Sequence, residues 1–382
     1  DNYLARSVTT GHKPSFDANW LALSQHNYTN DSQSTLLVDA CDISDNIDSI
    51  SAVELIRFFQ HPSKFFAQQV LNLYLDSNDI SLDDVEPFSV NHLDNYLLKQ
   101  DLLAANLATK NSNTIEQIIE VASLSGKFPD LPTTQLHFED ALNASSQLAQ
   151  EIITQGCDNP DLIGCNIVLS FAESNAPKQE VTLSAQIPVK MTDKGMTIVF
   201  YRSSTAKPKD LFTLYLHYLI VQVWQQQNCS KPNYGSCSLS QVNNAQGFYF
   251  NTKAQKVDQY TINNELTEDA NTELSMWMSV YAQGQKQPLL LNGALAAEVF
   301  KESRGKRVTM TEDRFETFWC GVAAQIGGQP GFGQDSYIRY FWPYGPTIET
   351  VVPQVESVYQ GLYSRIVKVN ASKSKTTKGA SR

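Results

Sequence analysis

The sequence is short of positive charge, of paired cysteines and of long apolar runs, and each shortage removes a class of function. Lys and Arg number 29 against 40 Asp and Glu, for a formal net charge of −11 and a pI near 5.0. A surface that clamps duplex nucleic acid over its whole extent is basic, so any nucleic-acid contact must be local or shared with a partner. No apolar stretch reaches the ~18 residues that span a bilayer, and no signal-peptide pattern opens the chain. It therefore reads as soluble and cytoplasmic, with no membrane partner. The six cysteines (Cys41, Cys157, Cys165, Cys229, Cys237 and Cys320) form no C-x-x-C pair, and they read as separate reduced thiols. Walker lysine, G-x-S-x-G and H-E-x-x-H motifs are missing, so neither ATP binding nor another cofactor is expected. The acceptor triplets Asn27-Tyr28-Thr29 and Asn143-Ala144-Ser145 arise often by chance and are not read as secretion signals. There is no initial Met, and the sequence reads as a fragment of a longer protein.

What is present is ordinary for a globular protein: 382 residues, 42% hydrophobic and 18% charged, enough for two or three domains with a sizeable core. Residues 1–50 are polar and read as a connecting segment. Ser51-Ala-Val-Glu54 is a capping-box pattern before Leu55, Ile56, Phe58 and Phe59. His61-Pro62 breaks that helix, and Ser63 restarts it through Phe65 and Phe66. Helical spacing returns over Leu93–Leu107, 113–124 and 135–155. Near residue 165 the pattern changes to alternation: Ile167/Leu169/Phe171, then Val181/Leu183/Ala185/Ile187. After the turn Asp193-Lys-Gly195 it resumes over Met196–Tyr201. Three such runs predict an antiparallel meander. Lys207-Pro208 opens a helix through Trp224 that is apolar nearly all round and hence buried. Strands are expected at Gly247–Asn251 and Asp258–Ile262, and helices at about 264–283, 294–303 and 311–325. Pro288–Leu291 reads as a short strand or extended segment. The tail from Lys368 is Lys/Ser/Thr-rich and reads as disordered. The order predicts an α/β fold with one mixed sheet and a helical covering layer.

Particular residues carry a resemblance. The run Glu54-Leu-Ile-Arg-Phe-Phe-Gln-His-Pro62 with Phe65-Phe66, and Glu86-Pro-Phe88 with Leu93 and Tyr96, resemble the C-terminal domain of the gamma chain of exodeoxyribonuclease V, the RecC subunits of RecBCD helicase–nucleases. Tyr201-Arg202-Ser203-Ser204 before the Leu214–Leu219 helix, Gln287-Pro-Leu-Leu-Leu291 and Tyr337-Ile-Arg-Tyr-Phe-Trp-Pro343 follow in the same order, so the resemblance covers residues 50–365. It implies a restriction-endonuclease-like core of PD-(D/E)xK type, a mixed sheet with helical additions whose nuclease site is degenerate. The expected division is 1–50 connecting segment, partly irregular, 51–160 helical region packed on the core, 161–365 nuclease-like α/β core with C-terminal helices and 366–382 disordered basic tail. It further implies a non-catalytic scaffold in the processing of DNA double-strand ends, one that splits the duplex with a pin and channels the strands. Its partners would be a RecB-like beta chain, a RecD-like alpha chain and DNA ends. Recognition of the Chi sequence would belong to a helicase-like part outside this sequence.

Cutting relatives of this fold hold Mg²⁺ with an Asp ending one strand and an acid on the next, and a Lys two positions later shares the second acid's face. Matching strand to strand places Pro188 at the first position, Phe200 at the second and Arg202 at the lysine. Neither Pro188 nor Phe200 can coordinate a cation, so no catalytic residue and no metal ligand is expected, and no activity is expected of this chain alone. His137-Phe138-Glu139-Asp140 reads as a solvated helix start, and His217 as a core histidine. Lys207, Lys209, Lys253, Lys256, Lys301, Arg304, Lys306 and Arg307 are candidate phosphate contacts, densest at 301–307. Phe248, Tyr249, Phe250, Tyr340, Phe341, Trp342 and Tyr344 are candidate base-stacking residues. Two other functions stay open: an interaction module that never meets DNA, and an active nuclease with displaced ligands such as Asp193 with Glu139.

Overall fold

The capping-box serine and the Pro62 break produce the expected helix–break–helix in the computed structural model. The model describes residues 47–75, 89–108, 112–172, 178–228, 238–263, 269–303, 306–321 and 331–369. Helix α1 (Ala52–Gln60) follows a short strand, β1 (Ser49–Ser51), and Ser51 Oγ accepts the Glu54 N–H at 3.1 Å. The Glu54 carboxylate does not return to the cap; it accepts the Tyr281 hydroxyl at 2.6 Å. His61 ends α1 and caps α2 (Pro62–Phe65), its Nδ1 accepting the Lys64 N–H, and a π-helical turn runs on to Val70. The end of the expected connecting segment is thus a strand, since Ile50 is apolar and buried; residues 1–46 and Glu86-Pro-Phe88 lie outside the described residues.

Three helices follow, α3 (His92–Leu107), α4 (Ser112–Leu124) and α5 (Pro132–Thr154). The meander is β2 (Asp161–Phe171), β3 (Gln179–Thr192) and β4 (Gly195–Arg202), with Gly195 at φ +94° closing the second turn. Helix α6 (Pro208–Asn228) crosses over to β5 (Val242–Asn251), which pairs parallel with β4, and β6 (Lys256–Ile262) pairs antiparallel with β5. Then come α7 (Ala270–Lys286), α8 (Gly293–Val299), the two-residue strands β7 (Glu302–Ser303) and β8 (Lys306–Arg307), α9 (Glu312–Cys320), α10 (Ser336–Phe341), α11 (Ile348–Arg365) and β9 (Ile366–Val369).

The sheet is mixed, as expected: β1–β3–β4–β5–β6–β9, with β2 along the other edge of β3. β1 and β4 share one edge of β3, β1 beside Thr182–Ser184 and β4 beside Val189–Thr192. Alternation splits the side chains between two layers. Ile198 and Phe200 of β4 face a core built with α1, α6, α7, α8 and α11, whereas Val199 and Tyr201 face α3 and α5. Within 51–160, Leu55, Phe58 and Phe59 commit α1 to the first core and Leu148 and Ile152 commit α5 to the second. Helix α6 is buried on nearly all sides, as its composition predicts. The tail expected to be disordered from 366 begins as edge strand β9, where Lys368 pairs with Asp258 at 2.6 Å. The expected helix at 294–303 stops at Val299 before the β7–β8 turn, that at 311–325 stops at Gly321, and Pro288–Leu291 is extended without being a strand.

Helix α11 is locked to α6 and α7 by buried polar groups. Glu273 Oε2 accepts the Tyr215 hydroxyl at 2.7 Å and lies 3.8 Å from Arg365 Nη1, with both charged side chains almost fully buried. Gly361 is required there, because a Cβ on it would overlap the Glu273 carboxylate. Displacing one member of a buried ion pair leaves an uncompensated charge. Gly361→Ala is therefore expected to cost about 3 kcal/mol, read as a lowered midpoint in chemical denaturation. Ser364→Ala, which loses only a local hydroxyl bond to Gly361 O, should stay within about 0.5 kcal/mol of the parent.

Candidate functional site

The stretch Ala185–Pro188 lies between the two ladders on one edge of β3, where the chain leaves β1 and has not yet met β4. A proline fits such a stretch, because it has no N–H to give a ladder. β3 runs unbulged against β2, from Asp161↔Val189 to Phe171↔Gln179, so alternation turns Pro188 to the face opposite Ile187. Phe200 shares its core with Ile187. The matched pair Pro188 and Phe200 consequently do not converge; the side chain that shares the Phe200 face is Ile187, which also lacks a donor atom.

Phe200 packs edge-on to His217 of α6, with ring centroids 5.0 Å apart. His217 Nδ1 donates to Thr213 O at 2.7 Å, which fixes its tautomer, and burial pushes its pKa down to about 4. Arg202 stands two residues beyond Phe200 on the same face, and its Nη1 reaches both carboxylate oxygens of Asp210 at 2.9 Å. Both side chains are largely buried, at 17% and 13% exposure. Asp210, in the first turn of α6, also accepts the Lys207 N–H at 2.8 Å and so caps the helix. The Arg202 guanidinium lies 5.2 Å from the centre of the Tyr96 ring, and Tyr249 OH donates to Asp210 O at 3.4 Å. Burial, with the nearby Asp210 charge, raises the Tyr249 pKa far above the ordinary phenol range, so it stays neutral. Arg202, Asp210, Tyr96 and Tyr249 contact one another at this strand end, while Arg202 Nε, Ser203 Oγ and Ser204 Oγ are buried without a hydrogen-bond partner among the described residues. Among the described residues, no three His, Cys, Asp or Glu side chains gather in a way that would hold a metal ion. Glu139 is exposed on α5, within reach of Gln135, and Asp193 stays in the β3–β4 turn.

The basic candidates separate. Lys301 pairs with Glu298 at 3.1 Å; Arg307 pairs with Glu356 and lies 4.4 Å over Phe300. The densest basic group is thus partly neutralised by its own helices, Lys306 is exposed, and Arg304 lies outside the described residues. Lys207 and Lys209 instead flank the start of α6 at a cavity of about 210 Å³ lined by Phe59, Pro208, Phe212 and Tyr359. Phe248, Tyr249 and Phe250 are core residues, while Tyr340 and Tyr344 are exposed. Cys157 and Cys165 are free and buried, and Cys320 is free and exposed. Sequence reasoning missed Asp210, for which an acid three residues after Lys207 at a helix start was the available signal. Tyr96 entered only among the residues that carry the resemblance, and nothing in the sequence pointed to its contact with Arg202.

Three of the stretches that carry the resemblance, 54–66, 287–291 and 337–343, meet in space. His61 Nε2 donates to Asp335 Oδ1 at 3.1 Å; burial pushes the Asp335 carboxyl up, but the His61 bond and charge with the Ile338 and Tyr337 N–H groups together hold it below its ordinary pKa. Tyr337 OH accepts from Gln68 and the Leu75 N–H, and Phe341 packs on Phe66. Leu289 O and Leu291 O accept the Ser63 and Tyr359 hydroxyls. These motifs build the first core.

A buried imidazole whose folded pKa lies below its unfolded one contributes stability fully above about pH 6.5, and that contribution is lost as pH falls toward 4. His217 should therefore cost the fold about 2 kcal/mol between pH 7 and pH 5, and His217→Phe should flatten the denaturant midpoint over that window. Separately, Asp210→Asn is expected to destabilise by about 2 kcal/mol, measured by the same titration at pH 7.

Compared with known proteins, residues 47–304 match the family model described as the RecC C-terminal domain. The RecBCD enzyme subunit RecC of Haemophilus influenzae is 24% identical over 217 residues, which cover 56% of this chain and 18% of that protein. The match thus spans about a fifth of the length of that curated relative. Among the described residues, no helix is long and apolar enough to cross a membrane.

Proposed function

The chain belongs to the RecC C-terminal domain family, and from that premise we propose that it is a non-catalytic scaffold domain of a RecBCD-type helicase–nuclease that guides DNA and docks partner subunits during the processing of double-strand ends. On this reading the mixed sheet is a restriction-endonuclease-like core whose metal site has been lost. The observation that carries it is Arg202: the cation at the lysine position of a nuclease strand is committed to Asp210, and Phe200 fills the acid position with a ring packed on neutral His217. Metal-dependent cleavage needs oxygen donors and a free cation at that strand end. The partners would be a RecB-like beta chain, a RecD-like alpha chain and DNA ends, in the cytoplasm, with no cofactor bound by this domain.

Guidance of DNA is assigned to Lys207 and Lys209, which rim an apolar cavity beside the start of α6 and have no acidic partner among the described residues. A single strand would lay its phosphates there without being read for sequence. Neutralisation of Lys301 and Arg307 by Glu298 and Glu356 favours a second reading for that other face, contact with protein alone. Fluorescence anisotropy of a tailed duplex tests the assignment. Lys207→Glu with Lys209→Glu is expected to weaken binding about tenfold and to reduce the salt slope by about two. An unchanged affinity and slope would reject it in favour of a module that never meets DNA.

A further inference from the structure

Helix α4 carries more apolar surface than the described residues cover. Ile115, Ile118, Ile119 and Ala122 are only half-buried, and Val121 and Leu124 are 68% and 79% exposed. Helix α5, in the same layer, buries eight residues. Between α4 and α3 runs a cleft of about 580 Å³ whose walls include Leu97, Leu98, Ala105, Ile118, Val121 and Phe128. Small residues along it, Ala104 and Ala105 on one side and Ala122 on the other, allow the backbone of another element to come close. The α3 rim carries Asp94 and Asp101 two turns apart: Asp94 is largely buried and makes a long 3.9 Å contact with the exposed Lys127, which also lines the cleft, and Asp101 is exposed with no ion partner among the described residues.

We infer that this cleft receives an amphipathic helix of a partner polypeptide, with apolar residues at i, i+3 or i+4 and i+7 and Lys or Arg flanking that stripe. The walls repeat at helical spacing on both sides, at positions 97, 101, 104 and 105 of α3 and 114, 118, 121 and 122 of α4, which suits a third helix laid along the seam. The acidic rim selects a basic occupant. A second copy of the chain, with its net charge of −11, would bring like charge to that rim. The inference rests on the docking half of the function proposed above and not on the DNA half.

A photo-crosslinking residue placed at Val121 of the full chain in cells, with Leu162 of exposed β2 as the comparison position, tests it by peptide mapping of the adducts. The expected product joins residue 121 to a basic amphipathic helical segment of another polypeptide. Its yield should fall about tenfold with Asp94→Lys and Asp101→Lys together, in a protein whose thermal unfolding is unchanged. An adduct with this chain itself, an adduct with an acidic or non-amphipathic segment, or a yield no higher than at Leu162 would overturn the proposal. If the chain still co-purifies with partner subunits in that last case, the groove is wrong and the docking role stands.

Discussion

The Arg202 guanidinium cannot serve Asp210 and a scissile phosphate at once, and the geometry of the β4 end follows from that commitment. Two 2.9 Å bonds run from Nη1 to the two oxygens of one carboxylate, largely out of water, and both are charge-assisted. The same carboxylate caps α6 through the Lys207 N–H. The pair therefore joins the last residue of a strand to the first turn of the most buried helix, which fixes how the crossover leaves the sheet. A lysine in place of Arg202 would bring a hydrated ammonium on a flexible stem and lose the guanidinium contact with the Tyr96 ring, which would loosen the joint.

Phe200 and His217 make this strand end a packed one. An imidazole this buried stays neutral because no carboxylate faces it, and its one donated bond goes to the preceding turn of its own helix. Burial without a charged neighbour makes it a core residue. The same logic separates the two basic regions. At 298–307 the chain supplies its own acids, whereas at 207–209 the acid in the same turn, Asp210, is already occupied by Arg202. An acidic protein can therefore still present a local cationic rim.

Much of the fold was legible because its signals are local. The Ser51 cap, the Pro62 break, the meander turn at Gly195 and the all-round apolar α6 each impose their element with little help from elsewhere. The misread parts depend on tertiary contact. Strand β1 is three residues long and exists because Ile50 packs beside Leu183. Strand β9 forms at the sheet edge because Arg365–Val369 returns along β6. Helix α11 begins with Ile, Thr and two Val before Pro353, a run that favours extended backbone on its own, and is held helical by buried Tyr359 and Arg365. At the site, residue types were readable but faces were not. A one-residue difference between Pro188 and Ile187 reverses the side of the sheet, and only the strand register decides it. The resemblance rested on residues such as His61, Tyr337 and Leu291, which the structure gathers in one core, so it reported architecture and not chemistry.

The central claim is that this strand end cannot cut DNA. Incubating the purified chain with linear duplex and single-stranded DNA in Mg²⁺ or Mn²⁺, with calorimetric titration of the same ions, measures it directly. The account predicts intact DNA and no saturable ion binding at the β3–β4 face. Chelator-sensitive cleavage that disappears on replacing Asp193 or Glu139 would contradict it and establish an active nuclease with displaced ligands.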